Sequence, residues 1–194
     1  MTDMDILTEM LMDSALIPIE NEYGKPMVKL EEAGVKGAKA CIRNMPADTI
    51  VIKADDFPAP KKFFQGDKGE CKRADFIIIS EEKKVILYIE LKAGKKDASH
   101  IIKQLKGSAC VITYCKEIGK HFWEQETFLN GYAHRFIGMV NLSISKKPSR
   151  YKSLPLHDSP ELFLKISSPH HLQFKELFNP KSILPEECPA HPSF

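Results

Sequence analysis

Three residues in the middle of the chain are of types and at spacings that do chemistry together. Asp75 stands just before an apolar run, Phe76 to Ile79, and Glu90 and Lys92 stand at the end of a second one, Val85 to Leu91. The polar stretch Glu81-Glu82-Lys83-Lys84 between the runs reads as a hairpin turn. With the turn centred between Glu82 and Lys83, residues whose numbers sum to 165 face each other, and Asp75 lies opposite Glu90. Directly opposed residues have Cβ atoms about 4.5–5.5 Å apart, and period-two alternation puts Lys92 on the same face. Opposed carboxylates repel, and a divalent cation resolves the conflict. Mg²⁺ (or Mn²⁺) takes oxygen ligands from one or two carboxylates, waters and substrate phosphates. Asp75 and Glu90 are therefore the expected metal ligands, with the Leu91 carbonyl a further one. Lys92 is expected to orient or help deprotonate an attacking water and to offset charge on a phosphoryl group. Hydrolysis of a phosphodiester is the natural reaction of such a set.

The elements that must position these residues follow from pattern. Segments Ala74 to Ser80 and Val85 to Leu91 are apolar at nearly every position, as central strands covered on both faces would be. Asp48 to Phe57 is β-branched and runs into Pro58 and Pro60, which predicts a strand entering a loop. Met4, Leu7, Met10, Leu11 and Ser14 lie at helical spacing, so a helix is expected from Asp3 to Leu16, ended by Pro18. Asp97 is the expected N-cap of a second helix, with Ile101, Leu105, Ala109 and Ile112 on its inner stripe, running to about Cys115 and ended by Gly119. Strands are expected at Arg135 to Ser145, Leu162 to Ile166 and Leu172 to Phe178, whereas Gly24 to Gly37 is ambiguous. The whole reads as one α/β domain over residues 1–179, a mixed central β-sheet flanked by helices, followed by a loosely ordered Pro-rich tail over 180–194.

Composition narrows the functional classes. The chain has 194 residues, 43% hydrophobic and 28% charged, with no apolar run of about eighteen residues and no secretory signal pattern. A cytoplasmic protein with no membrane partner is expected. Five cysteines without CxxC or zinc-ligand spacing read as reduced thiols, and the seven histidines show no zinc pattern. No glycine-rich phosphate loop and no nucleophile elbow is present, which argues against ATP use and covalent hydrolase chemistry. A net charge of +2 does not announce a nucleic-acid binder, so that case rests on the local clusters Lys61-Lys62, Lys72-Arg73, Lys95-Lys96, Lys103/Lys106 and Lys146-Lys147 with Arg150. Taken singly, each is more often a solvated face than a phosphate contact. Phe122, Trp123, Phe128 and Tyr132 read as core aromatics rather than a base-stacking platform.

Asp75, fourteen intervening residues, then Glu90-Leu91-Lys92 resembles the PD-(D/E)XK nuclease superfamily over about Cys71 to Tyr114. The resemblance implies a restriction-endonuclease-like αβββαβ core with the motif on a central hairpin, here with extra C-terminal strands. It implies a Mg²⁺-dependent nuclease, endonuclease favoured, acting on nucleic acid with DNA ahead of RNA; a standalone nuclease domain without a second recognition domain would often act as a homodimer, so that two sites address two strands. Gln104, on the helix after the lysine strand, matches a glutamine many members carry, whose amide would position Lys92 or a water. The proline that members have before the aspartate is Ala74 here. Members often add an acidic residue from the N-terminal region; Glu9, Glu20, Glu22, Glu31 and Glu32 are the candidates, with Glu20 placed first because it follows the first helix. The loop Phe57 to Gly69 and the strands after Tyr132 fall outside the resemblance. The alternative is a nuclease-fold module that binds nucleic acid or a protein partner without cleaving. On the bland reading, Glu90 and a lysine form a structural ion pair near a sheet edge, worth little.

Overall fold

In a computed structural model of the chain, the structure describes residues 1–32, 34, 38–92, 97–140, 156–167 and 172–178. The expected tail over 180–194, the segment 141–145, and the clusters Lys95-Lys96 and Lys146-Lys147 with Arg150 lie outside the described residues.

The apolar runs form the centre of a five-stranded mixed sheet. In chain order, helix α1 (Asp3–Met10) is followed by β1 (Glu20–Glu22), β2 (Lys25–Glu31), β3 (Lys39–Arg43), β4 (Thr49–Lys53), β5 (Phe76–Ser80) and β6 (Val85–Lys92). Helix α2 (Ala98–Phe122), β7 (Ala133–Val140), β8 (Leu164–Ile166), β9 (Leu172–Gln173) and helix α3 (Phe174–Phe178) complete it. The large sheet has the order β4-β5-β6-β7-β8, antiparallel from β4 to β6 and parallel from β6 to β8. A second sheet has the order β1-β2-β3-β9. The architecture is mixed α/β.

Side-chain alternation explains how the layers stack. On β5 and β6, Ile77, Ile79, Ile86 and Tyr88 pack with Ile6 and Leu7 of α1 and Ile101, Leu105 and Ile112 of α2. The opposite-parity residues Phe76, Ile78, Leu87, Ile89 and Leu91 pack with Val28, Leu30 and Ile42 of the second sheet and with Phe174 and Leu177 of α3. The expected sheet flanked by helices thus has helices on one face and mainly a second sheet on the other. The ambiguous stretch Gly24 to Gly37 contains β2, one of its strands. Burying each such Ile or Leu contributes about 1.5–3 kcal/mol, so core packing sets the strand register and carries Asp75 and Glu90 with it.

Several boundaries differ from expectation for identifiable reasons. Helix α1, closed at its start by the Thr2–Asp5 capping box, stops at Met10 rather than Leu16. The chain beyond it is taken up by the edge of β4, where Leu16 bridges Ile52 and Ile17 N–H donates to the Val51 carbonyl at 2.8 Å. Helix α2 passes through Gly119 to Phe122. Gly119 is there because the Phe128 ring lies where a Cβ would be, 2.2 Å away, and the left-handed residue past the helix is Glu124. Leu172 to Phe178 pairs as a strand only over its first two residues; Glu176 then accepts the Gln173 N–H at 3.0 Å, and Phe174 and Leu177 turn inward at helical spacing. The predicted strand Asp48 to Phe57 ends at Lys53 and continues as a 3₁₀ turn over Ala54–Asp56. Among the described residues no helix is long and apolar enough to cross a membrane, and Cys41, Cys71, Cys110 and Cys115 are free thiols.

Candidate active site

The ladder between β5 and β6 runs from Phe76↔Ile89 to Ser80↔Val85, every pair summing to 165 around the four-residue turn Glu81 to Lys84. Asp75 enters one step beyond the last pair, beside Glu90. Glu90 is fully buried, Asp75 6% exposed and Lys92 5% exposed. Lys92 Nζ forms an ion pair with Glu90 Oε1 and lies 4.0 Å from Asp75 Oδ2. Asp75 Oδ2 also accepts the Leu91 N–H at 2.6 Å. On an extended strand the N–H and C=O of one residue lie on one edge, which leaves the Leu91 carbonyl on the Asp75 side.

The backbone ahead of Asp75 is held by α2. Ser108 Oγ accepts the Ala74 N–H at 2.7 Å in the interior. Gly107 admits the chain so closely that an added Cβ would fall 1.6 Å from the Lys72 carbonyl oxygen. Gln104 Nε2 donates to the Arg73 carbonyl at 3.4 Å, while its Oε1 is buried without a partner. Gln104 Nε2 therefore holds the backbone that leads into Asp75, where the resemblance implies Lys92 or a water, and Gln104 lines the same cleft as Asp75. From the other side, the Ala54 N–H donates to the Asp75 carbonyl at 2.9 Å. On β7, Gly138 lies opposite Glu90, and its missing side chain makes room for the Phe163 ring and for Ile101, which help to exclude water.

The third acidic group is Glu32, at the end of β2, whose Oε1 lies 3.8 Å from Lys92 Nζ. Glu20, placed first from sequence, is instead bound to Lys29 at 2.7 Å on the surface. Glu22 pairs with Arg43, Glu31 with Lys39, and Glu9 accepts the Trp123 indole N–H. The second sheet, invisible in the ambiguous segment, is what carries Glu32 to the end of β6.

Electrostatically the site is short of cations. Burial is the largest influence on Asp75 and pushes its carboxyl up to about 6, although Lys92 and the Leu91 N–H pull it down. Burial, then the neighbouring Asp75 charge, push Glu90 up to about 8. Burial alone would lower the Lys92 pKa, but its contact with Glu90 and the charges of Glu90, Asp75 and Glu32 outweigh it, so the net shift is upward. Lys92 is an ammonium at neutral pH, a donor rather than a base. It holds Glu90 Oε1, whereas Glu90 Oε2 is buried without a hydrogen-bond partner. A buried carboxylate oxygen without a donor is what a cation would complete.

Among the described residues no three His, Cys, Asp or Glu side chains form a ready-made metal cage. Mg²⁺ does not require one, since waters and substrate oxygens fill most of its shell. Asp75, Glu32 and Gln104 line an open cleft of about 660 Å³, together with Lys61, Lys72, Arg73 and His100. Lys106 is drawn away to Glu161 at 2.5 Å, as a solvated surface pair. Of the four aromatics expected in the core, Phe128 and Tyr132 are buried and Phe122 is 79% exposed. Ser108, Gly107 and Gly138 were not singled out from sequence; a Gly-Ser pair beside the apolar stripe of α2 was the available signal for the first two.

Compared with models of known protein families, with curated proteins and with solved structures, the chain matches none.

Proposed function

We propose that the protein is a metal-dependent nuclease of the PD-(D/E)XK kind, hydrolysing phosphodiester bonds of nucleic acid, DNA more readily than RNA. The observation that carries this reading is Glu90: fully buried, beside Asp75, with Oε1 held by the Lys92 ammonium and Oε2 without a hydrogen-bond donor. A fold with no use for that carboxylate would replace it with an apolar residue, because a buried charge without full pairing costs several kcal/mol. The run α1, β4-β5-β6, α2, β7 supports a restriction-endonuclease-like core, with β1 to β3 inserted after α1.

Asp75 and Glu90 would hold Mg²⁺ or Mn²⁺, with the Leu91 carbonyl a further ligand. The ion, when bound, supplies an acidified water and polarises the phosphoryl oxygen. Lys92, already charged, donates to a phosphate oxygen or to the attacking water and offsets negative charge as it builds. Gln104 presents its unpaired carbonyl oxygen to a water while its amide keeps the Arg73–Asp75 backbone in place. Lys61, Lys72 and Arg73 bring a polyanion into the cleft.

The test is cleavage of circular single-stranded and supercoiled duplex DNA with Mg²⁺ or Mn²⁺, wild type beside Asp75→Ala and Lys92→Ala. Cleavage by the wild type alone is expected. No cleavage of either circle, of linear DNA or of RNA would overturn the proposal in favour of a non-catalytic binding module.

A further inference from the structure

The chain between β4 and β5 turns two aromatic rings toward solvent at the lip of the cleft. Phe63 is 84% exposed and Phe64 48% exposed, and the rings meet edge to face with centroids 4.9 Å apart. Adjacent phenylalanines left in water forgo the gain from burial, which marks a contact surface more often than an isolated exposed ring does. The loop is nevertheless built. The Phe63 and Phe64 N–H groups both donate to the Pro60 carbonyl, at 3.0 and 2.9 Å. The Glu70 carboxylate accepts the Gly66 and Lys68 N–H groups at 2.8 and 3.0 Å. Gly69, with φ at +97°, lies against the Lys103 stem so tightly that a Cβ would come within 2.9 Å of it. The turn is thereby fastened to α2, the helix that also holds the backbone before Asp75.

Charge identifies what the rings are for. Lys61 and Gln65, on either side of the pair, line the same cleft as Asp75. Among the described residues Lys61, Lys62, Lys68 and Lys72 enter no ion pair, whereas Lys29, Lys39, Lys106 and Lys120 each do. Uncompensated cations beside solvent-facing rings suit a polyanion that carries planar groups. In a continuous duplex base faces are covered by their neighbours, and only edges show in the grooves. A ring stacks on a base whose face is free.

We infer that the Pro60 to Gln65 turn is a stacking platform for unpaired nucleotides, Lys61 and Lys72 leading the backbone toward Asp75 and Glu90, so that the substrate is single-stranded or locally unpaired nucleic acid. This deepens the nuclease reading and rests on it for the catalytic step, but it is tested without cleavage. Full-length protein in chelator is titrated into fluorescently labelled oligothymidylate and into a labelled blunt duplex of equal length, for wild type, Phe63→Ala and Phe63→Trp. The wild type binds the single strand more tightly. Phe63→Ala weakens that binding roughly five- to a hundred-fold and leaves duplex binding unchanged. Phe63→Trp retains it, and its fluorescence is quenched by the oligonucleotide. Duplex bound as tightly as single strand, no effect of Phe63→Ala, or no binding of either probe overturns the inference. Because Phe63 is exposed, Phe63→Ala is expected to keep the wild-type melting temperature, and Phe63→Trp keeps the test open if it does not. Phe63-dependent binding without cleavage in any metal would sink the nuclease reading and spare the platform; metal-dependent cleavage lost in Asp75→Ala, with binding indifferent to Phe63, would do the reverse.

Discussion

At the turn end of the β5–β6 hairpin, Ser80 is fully buried, and its hydroxyl donates to Asp48 Oδ1 at 3.2 Å while accepting the Lys83 N–H at 3.2 Å. Asp48 Oδ2 takes the Glu82 N–H, so the cluster closes on itself. At the other end of the same two strands Glu90 is as deeply buried, yet its Oε2 lacks a donor although Lys92 holds its Oε1, and burial drives its pKa up to about 8. One hairpin thus carries a closed polar cluster that sets a turn and a second cluster whose Glu90 Oε2 has no partner.

Substitutions at the two ends should separate activity from stability. Glu90→Gln is expected to lower the cleavage rate on the order of a hundred- to a thousand-fold or more, with the fold retained by circular dichroism. Ser80→Ala should leave the rate at the wild-type level; a large loss of rate in Ser80→Ala would break the distinction. Gly107→Ala tests the support of the Asp75 end, because its Cβ must displace the Lys72 carbonyl from 1.6 Å. It should cost about 3 kcal/mol in urea unfolding and depress cleavage as Asp75 shifts.

Ser80→Ala should itself cost about 1–3 kcal/mol, because the Lys83 N–H and Asp48 lose a partner. Ser108→Ala should cost a similar amount by stranding the Ala74 N–H, and should lower activity as well, which Ser80→Ala does not. Equal effects of the two serines on activity would contradict the assignment of Ser108 as a positioning residue.

The smallest effect is in pH. Glu90 is raised from 4.5 to about 8 and Asp75 from 3.8 to about 6, so the folded protein holds protons that the unfolded chain releases. In the metal-free protein this stabilisation is complete below the unfolded values and is lost as pH rises through about 6 and about 8, at no more than about 1.4 kcal/mol per pH unit for each group. His157 acts oppositely. Burial depresses its pKa below 6.5, so its share is present above that value and is lost as pH falls. Urea melts of metal-free protein should decline toward pH 8, and Mg²⁺ should flatten the decline; stability rising across that interval without metal would contradict the carboxylate assignment.

The hairpin, its register and the shared face of Asp75, Glu90 and Lys92 were legible because two uninterrupted apolar runs around a four-residue polar turn admit one pairing, and period-two alternation does the rest. Gln104 was legible as a residue, through the resemblance, and not as a contact: whether its amide reaches Lys92, a water or the Arg73 carbonyl depends on how closely α2 approaches, which Gly107 decides. The second sheet was not legible, since Lys25–Glu31 mixes charged and apolar residues without a clean period-two run, and β3 pairs with β9 more than a hundred residues later. Without that sheet nothing ranks Glu32 above Glu20. The ends of α1 and α2 were misjudged for the same kind of reason, a tertiary partner overriding a local signal: the β4 edge in one case, Phe128 in the other.

Calorimetric titration of metal-free protein with Mn²⁺, wild type beside Glu90→Gln, asks whether the end of the hairpin that bears Asp75 and Glu90 is a divalent-cation site. Saturable binding by the wild type, a higher melting temperature with the ion present, and loss of both in Glu90→Gln are predicted. No saturable binding, or binding unchanged by the substitution, would contradict that assignment.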